Sequence, residues 1–184
     1  MRYVLGAIGT RRWRGVLIAG LLALGAGGVA AQFAPDPERV AELADWREGE
    51  VPPPPAFSTR GLIDIDMPAG TSVKMGVDPK TIKMDQDKGV VRYVVVARGP
   101  SAVNASYEGI RCNTGEYRIY ARQTQGNPWS PSSESDWKPL RGQSNVMVRY
   151  PYELSRGLCV GTALRQTVGE MERELRTGNR ALYQ

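Results

Sequence analysis

Residues 90–112 constrain the fold more than any other part of the chain. Their first half, Val-Val-Arg-Tyr-Val-Val-Val-Ala-Arg, is rich in the β-branched and aromatic residues that favour pleated strands. Gly99, Pro100 and Ser101 are typical of a turn, and a second strand-like run then ends at Cys112. We therefore expect two antiparallel strands at the centre of the molecule, with the other elements packed around them.

Shorter strand-like runs flank this pair at residues 62–65, 72–77, 81–84 and 145–150. Asp78 and Pro79 predict a turn between two of them, and residues 85–89 predict a hairpin loop in which Gly89 takes a positive φ. The aspartates of this loop lack the spacing and the closing glutamate of a calcium-binding loop. The sequence therefore predicts no metal site.

Two amphipathic helices are predicted outside the strands. The first begins at Asp36 and Pro37, a cap residue followed by proline, and its apolar positions are Val40, Leu43, Ala44 and Trp46. The second covers about residues 162–177, and its apolar stripe consists of Leu164, Val168, Met171 and Leu175. This stripe favours packing on the chain's own sheet, with a partner helix as the alternative. The predicted fold class is α+β, a mainly antiparallel sheet with a short N-terminal helix and a C-terminal amphipathic helix packed on it.

The first 31 residues have the pattern of an export signal. Basic residues come first, and an uncharged stretch then ends in Val-Ala-Ala before Gln32. This order predicts cleavage before Gln32, with an uncleaved membrane anchor as the alternative. No cysteine lies near the cleavage point, so we do not expect a lipoprotein. The prediction is a periplasmic protein with no stable membrane span after cleavage.

Four consecutive prolines, residues 52–55, predict a stiff extended connector after the first helix. Attraction to an aromatic groove in a partner is the alternative. The predicted organisation is a signal peptide over residues 1–31, a short helix and proline-rich linker over 32–56, and a single domain over 57–184.

Four of the five net positive charges come from the leader, which holds four of the 24 basic residues and none of the 19 acidic ones. A nearly neutral mature chain lacks the electrostatic signature of nucleic-acid binding, although Arg111, Arg118 and Arg122 lie among tyrosines. We expect no nucleic-acid partner.

Cys112 and Cys159 are the only cysteines. An even pair in an exported protein predicts a disulfide, and the alternatives are two buried thiols or one reactive thiol. A bridge here would tie the central strands to the segment before the C-terminal helix.

The orientation of Glu108 depends on the register of the hairpin formed by residues 104–122. A three-residue loop pairs Cys112 with Glu116 and leaves Glu108 among arginines on the outer face. A four-residue loop pairs Cys112 with Tyr117 and turns Glu108 into the core, where it needs a partner or a raised pKa. The sequence leaves both registers open.

The polar loop of residues 123–137 carries two tryptophans. They are predicted either to stack on a sugar or a partner's surface, or to fold back as a lid over the sheet. With neighbouring strand residues they form the candidate binding surface, which comprises Trp129, Trp137, Tyr107, Arg111 and Tyr120.

The absence of histidine excludes serine–histidine and cysteine–histidine hydrolases. The sequence also lacks glycine-rich phosphate loops and C-x-x-C, so we expect no nucleotide or dinucleotide binding, no disulfide-exchange activity and no cofactor. Carboxylate chemistry remains, and the acids in predicted strands or turns are Asp64, Asp66, Asp78 and Glu108. Glu108 and Asp78 are the candidates for catalysis, with solvated faces and cross-strand pairs as the alternative.

Several motifs resemble the CNP1-like family of exported bacterial proteins. They are Val77-Asp78-Pro79, Asp-Lys-Gly-Val-Val-Arg-Tyr-Val-Val at residues 87–95, and Asn-Ala-Ser-Tyr-Glu-Gly-Ile-Arg-Cys at residues 104–112, followed by Tyr117 and Tyr120. The resemblance covers about residues 45–161, and Tyr-Glu-Gly-Ile-Arg-Cys is its most specific part. It implies an envelope location and a shared fold, and it supplies no catalytic residue.

These observations predict a non-catalytic protein of the cell envelope that binds a protein partner or an envelope polymer. One alternative is a carboxylate-dependent hydrolase that acts on envelope glycan. Another is an assembly component that uses the helix stripe from Leu164 to Leu175. The oligomeric state does not follow from the sequence.

Overall fold

The structure is a computed structural model that describes residues 36–67, 70–134, 136–142 and 149–181. The predicted signal peptide lies outside these ranges. The contacts divide the chain after Glu42, and the residues from Leu43 onward form the compact unit that contains the sheet. Within the described ranges, no helix combines the length and hydrophobicity needed to cross a membrane.

The helices of the described chain are α1 (Pro37–Asp45), α2 (Tyr150–Leu158) and α3 (Val168–Ala181). The strands are β1 (Ile63–Ile65), β2 (Lys74–Val77), β3 (Lys83–Asp85), β4 (Val90–Arg98), β5 (Val103–Arg111), β6 (Glu116–Thr124), β7 (Ser130–Pro131), β8 (Lys138–Pro139), β9 (Cys159–Val160) and β10 (Ala163–Leu164). A 3-10 turn spans Pro79–Thr81.

Eight of these strands form one antiparallel sheet in the order β1-β2-β4-β5-β6-β7. Strand β3 pairs with the start of β4, whereas β2 pairs with its end, and β8 pairs with β6. The loop before β4 closes at Gly89, whose φ is 66°. The predicted fold class is confirmed, including the central pair β4–β5.

Strand β4 has a nearly continuous apolar sequence because both of its faces are covered. Val91, Tyr93 and Val95 belong to the larger core, on the side of α2 and α3, whereas Val94 and Val96 belong to a smaller core on the opposite face. Every residue from 90 to 96 is buried. A strand that is buried on both faces does not show the usual alternation of apolar and polar residues.

The N-terminal cap predicted for α1 is confirmed, since Asp36 Oδ1 accepts a hydrogen bond from Glu38 N at 3.0 Å. The helix ends at Asp45, one residue before Trp46.

The C-terminal helix forms, and its inner face packs against α2 through the buried residues Met171 and Leu175. Its predicted start was wrong. Leu164 lies in β10, and α3 begins at Val168 because Thr167 Oγ1 accepts from Glu170 N at 3.1 Å, as a capping residue does. The helix continues to Ala181, beyond the end predicted near residue 177.

Helix α2 was not predicted. The strand expected at residues 145–150 lies mostly outside the described residues, and its last residue, Tyr150, begins α2 instead. Pro151 occupies the first turn of this helix, a position where its missing N–H costs no hydrogen bond.

The predicted disulfide between Cys112 and Cys159 is present, with the two Cα atoms 5.8 Å apart. Cys112 directly follows β5, and Cys159 directly follows α2. The bridge therefore fastens the end of the central hairpin to the helical layer.

Candidate functional site

A β-bulge between β5 and β6 determines which side chains face each side of the sheet. Tyr107 pairs with Ala121, but Glu108 pairs with Ile119, so Tyr120 is an additional residue without a partner opposite. Such a bulge changes the face to which the following side chains point. Neither predicted register holds next to the loop, where Arg111 rather than Cys112 pairs with Glu116. Beyond the bulge, the pairs from Asn104–Thr124 to Tyr107–Ala121 keep the register of the three-residue-loop alternative. The inward direction of Glu108 is nevertheless the one given by the four-residue-loop alternative.

Glu108 lies in the core and is completely buried. Its Oε1 accepts hydrogen bonds from the hydroxyls of Ser106 and Tyr150. Among the described residues, neither its Oε2 nor the Tyr93 hydroxyl has a hydrogen-bond partner. Burial raises the pKa of Glu108 to about 7, and the two donated hydrogen bonds only partly oppose this rise. Glu108 lines neither the cavity of about 360 Å³ on the aromatic side of the sheet nor the cavity of about 680 Å³ beside the disulfide.

Asp78, the second catalytic candidate, caps the 3-10 turn. Its carboxylate accepts from Ser58 N at 2.7 Å and from Lys80 N at 3.1 Å. Among the described residues, it shares no hydrogen-bond partner with Glu108. Both carboxylates therefore stabilise the structure around them. No contact among the described residues brings them together as a catalytic pair on either side of one substrate bond.

The other two acids considered for catalysis lie on or beside β1. Asp64 is exposed and forms an ion pair with Arg98 at 3.3 Å, and Asp66 is half-buried just after the strand.

The five predicted binding residues do come together, on the side of the sheet opposite α2 and α3. The ring of Tyr120 lies 5.2 Å from that of Tyr107 and 6.4 Å from that of Trp137, between centroids. Trp46 joins this group, since its ring lies 5.8 Å from Trp137 and 3.8 Å from the guanidinium of Arg111. We call this set, which comprises Trp46, Tyr107, Arg111, Tyr120, Trp129 and Trp137, the aromatic face.

A cavity of about 360 Å³ opens on the aromatic face. Tyr107 and Tyr120 line it from the sheet, and Trp129 lines it from the loop after β6. Its remaining wall includes Val51, Pro52, Pro53 and Pro54, so the proline tract, predicted as a spacer, lies against the sheet. Trp129 also contacts Phe57 edge to face, with ring centroids 5.7 Å apart. The tryptophans are thus half-buried, as a lid would be, and one of them lines an open cavity.

Glu48 anchors the segment that carries the proline tract, a role that no sequence pattern indicated. Its buried carboxylate accepts from Arg92 Nη2 at 2.7 Å, from Arg118 Nη1 at 3.1 Å and from the Tyr120 hydroxyl. Burial lowers the pKa of Arg92, but the hydrogen bond and charge of Glu48 outweigh it and the net shift is upward. Burial and the bond to Glu48 raise the pKa of Tyr120. Removing one partner from such a buried group typically costs about 3–5 kcal/mol.

Arg111 is a buried cation whose hydrogen bonds are only partly satisfied. Its Nη1 lies 3.6 Å from Glu116 Oε2, while Nε and Nη2 have no partner among the described residues. Burial lowers its pKa. Stacking on Trp46 supplies the main contact, and the indole Nε1 of Trp46 is itself held by Lys88 O at 3.1 Å.

A sequence model of the CNP1-like family matches residues 41–176, about three quarters of the chain. The chain belongs to the CNP1-like family. The match includes Glu48, the proline tract, the whole aromatic face and both cysteines. It also includes most of α3, so the CNP1-like region extends beyond the expected limit near residue 161. Comparisons with curated proteins and with solved structures give no match.

Proposed function

We propose that this CNP1-like protein is a non-catalytic protein of the cell envelope that binds a protein partner through the aromatic face. The observation that carries the proposal is the cavity of about 360 Å³ between the proline tract and Trp129. Tryptophan, tyrosine and arginine dominate the binding energy of protein interfaces, and all three line this cavity.

The lining favours a protein segment over a polysaccharide. Prolines of the chain itself already pack beside aromatic rings in the cavity wall, which shows that this lining suits a proline-rich segment. Aromatic grooves recognise such segments because they are stiff and lose little entropy on binding. The cavity is near the lower end of the size range of ligand pockets, about 300–1,000 Å³. It therefore accommodates one or two anchoring side chains of a partner.

Two observations support an envelope location. Disulfides persist mainly in oxidising compartments, and Cys112 is bonded to Cys159. The first 31 residues have the order of basic, apolar and small residues that directs export.

The positions of the other candidate residues support binding rather than catalysis or helix-mediated assembly. Glu108 is completely buried and does not line the cavity of the aromatic face. The stripe residues Met171 and Leu175 are buried within the chain itself, so they are not available to a partner helix.

The test begins with affinity capture of envelope proteins by the mature protein, after which the captured partner is purified and its affinity is measured by calorimetry. We expect Trp129→Ala to weaken binding at least tenfold, which corresponds to the loss of more than about 1.4 kcal/mol. Ser130→Glu, which places a charge at an exposed position on the cavity wall, is expected to weaken binding similarly without removing a packed ring.

The matched control is Val103→Ala, which shortens an exposed apolar side chain that does not line the cavity. Unchanged affinity in both cavity variants contradicts the proposal. Binding of purified envelope glycan that depends on Trp129, with no protein partner, contradicts the choice of a protein ligand.

A further inference from the structure

A second cavity, of about 680 Å³, lies beside the disulfide. Its walls come from the turn after β5, the end of β8, the last turn of α2 and the β9–β10 turn. Arg141, Arg156 and Arg165 line it, and no aspartate or glutamate does. The described lining is therefore cationic, and Glu153 and Glu174, which lie beside Arg156 and Arg165 but do not line the cavity, offset part of this charge.

The three arginines differ in how firmly they are held. Arg165 is mostly buried and donates from Nε to Gly157 O at 2.8 Å, with Glu174 at 3.7 Å from its Nη2. Its guanidinium therefore has a fixed position against the end of α2.

The other two arginines are exposed, so their guanidinium groups can reorient toward a ligand. Arg156 is exposed, and its ion pair with Glu153 at 3.3 Å lies at the surface, where such pairs contribute little. Arg141 is exposed and lies 5.7 Å from the ring centroid of Tyr152. No carboxylate of the described residues is within salt-bridge distance of Arg141.

The cavity also presents neutral hydrogen-bonding groups. Asn113, Thr114 and Ser155 contribute amide and hydroxyl side chains to its lining. Thr114 Oγ1 already donates to Glu116 Oε2 and Ser155 Oγ to Tyr152 O, both at 2.6 Å, so the two hydroxyl oxygens are left as acceptors. Such groups pair with the hydroxyls of a polar ligand, whereas the guanidinium fork matches the geometry of an oxyanion. The volume lies within the range of small-molecule sites, about 300–1,000 Å³, and exceeds what a single phosphate ion needs.

We propose that this cavity binds a phosphate monoester carried on a small polyhydroxylated scaffold, as in a sugar phosphate. Arg141 has no carboxylate within salt-bridge distance among the described residues, and the exposed ion pair of Arg156 can exchange its partner, so two guanidinium groups are offered to a doubly charged phosphate. The hydroxyl and amide side chains then contact the scaffold. This site is separate from the aromatic face and does not depend on the partner proposed for it.

The test uses calorimetric titration of the mature, disulfide-bonded protein with glucose 1-phosphate. We expect saturable binding that is at least tenfold weaker in the double variant Arg141→Gln/Arg156→Gln. The matched control is Arg173→Gln/Arg176→Gln, which removes the same charge from exposed positions of α3 outside the cavity. Thermal denaturation and a thiol assay verify that both double variants retain the fold and the bridge.

Three parallel titrations, with inorganic phosphate, glucuronate and glucose, define the ligand class. The proposal predicts that glucose 1-phosphate binds more tightly than each of them. It is overturned if glucose 1-phosphate shows no saturable binding, or if the two double variants lose affinity equally. Glucose or glucuronate binding as tightly as glucose 1-phosphate contradicts the role of the phosphate, and equal binding of inorganic phosphate contradicts the role of the scaffold.

Discussion

Glu108 is a carboxylic acid enclosed by tyrosine and serine hydroxyls in the core. Ser106 and Tyr150 donate to one oxygen, and the other oxygen has no donor among the described residues. An ionised carboxylate there lacks the solvation that water provides, so burial favours the protonated form. Tyr150 belongs to α2, and the hydrogen bond therefore links the helical layer to the sheet.

Because of this environment, we expect the stability of the protein to fall as the pH rises. The folded-state pKa of Glu108 is about 7, above the 4.5 of an ordinary glutamate, so the folded state binds the proton more tightly than the unfolded state. The stabilising contribution is complete below pH 4.5 and is lost as the pH rises through about 7. The loss is on the order of 3 kcal/mol.

Glu108→Gln tests this expectation, because glutamine is a neutral side chain of the same shape and keeps the oxygen that accepts from Ser106 and Tyr150. Urea denaturation at several pH values is expected to show a much smaller loss of unfolding free energy in the variant between about pH 4.5 and 8. Asp87→Asn, in the exposed loop before β4, is the control and should retain the slope of the parent protein. The same slope in the parent and in Glu108→Gln would rule out this role.

The sequence singled out Glu108, but it did not predict the pairing register of strands β5 and β6 around it. Both registers considered for the hairpin assume continuous pairing, whereas the bulge at Tyr120 combines two registers along one pair of strands. A bulge of this kind has no residue requirement in the strand, so alternation of apolar residues does not reveal it. Tyr120 also accounts for the glycine at position 109. A Cβ at Gly109 would lie only 2.5 Å from the Tyr120 hydroxyl.

At the scale of elements, α2 and α3 approach closely at Gly157. A Cβ at this position would lie 2.5 Å from Leu175 Cδ2 and 3.2 Å from Leu175 Cα. We expect Gly157→Ala to lower the free energy of unfolding by about 1–3 kcal/mol, because the helices must separate to admit the methyl group. Urea denaturation monitored by circular dichroism measures the change.

The matched control is Gly178→Ala in α3, where a new Cβ meets no atom within 4 Å. This variant should be neutral or more stable by up to about 1 kcal/mol, because alanine favours helix formation. Equal effects of the two substitutions would show that the contact at Gly157 is not tight.

Helices α2 and α3 differ in how clearly the spacing of their apolar residues predicts them. The stripe of Val168, Met171 and Leu175 predicted α3 because it repeats over several turns. Helix α2 spans only nine residues and contains Gly157, which lowers helix propensity, so its apolar residues repeat over too few turns to predict it. Its packing against α3 and the sheet is what stabilises it.

At the scale of the whole molecule, the sequence predicted the sheet and the disulfide, and it placed the binding residues on one surface. It did not predict that residues 46–54 cover that surface. Glu48 contacts Arg92 and Arg118, which are 44 and 70 positions away, and a proline tract looks the same in sequence whether it is free or packed. Contacts at this separation depend on the completed sheet rather than on local residue preferences.

The most direct test of the aromatic face as a partner-binding site is photocrosslinking in living cells. A photoreactive phenylalanine derivative replaces Ser130, on the wall of the cavity, and in a second strain it replaces the exposed Thr177 of α3. We predict a discrete protein adduct from position 130 that is absent from position 177 and is lost when Trp129→Ala is added. No adduct from position 130, or an adduct that persists without Trp129, would rule out partner binding at the aromatic face.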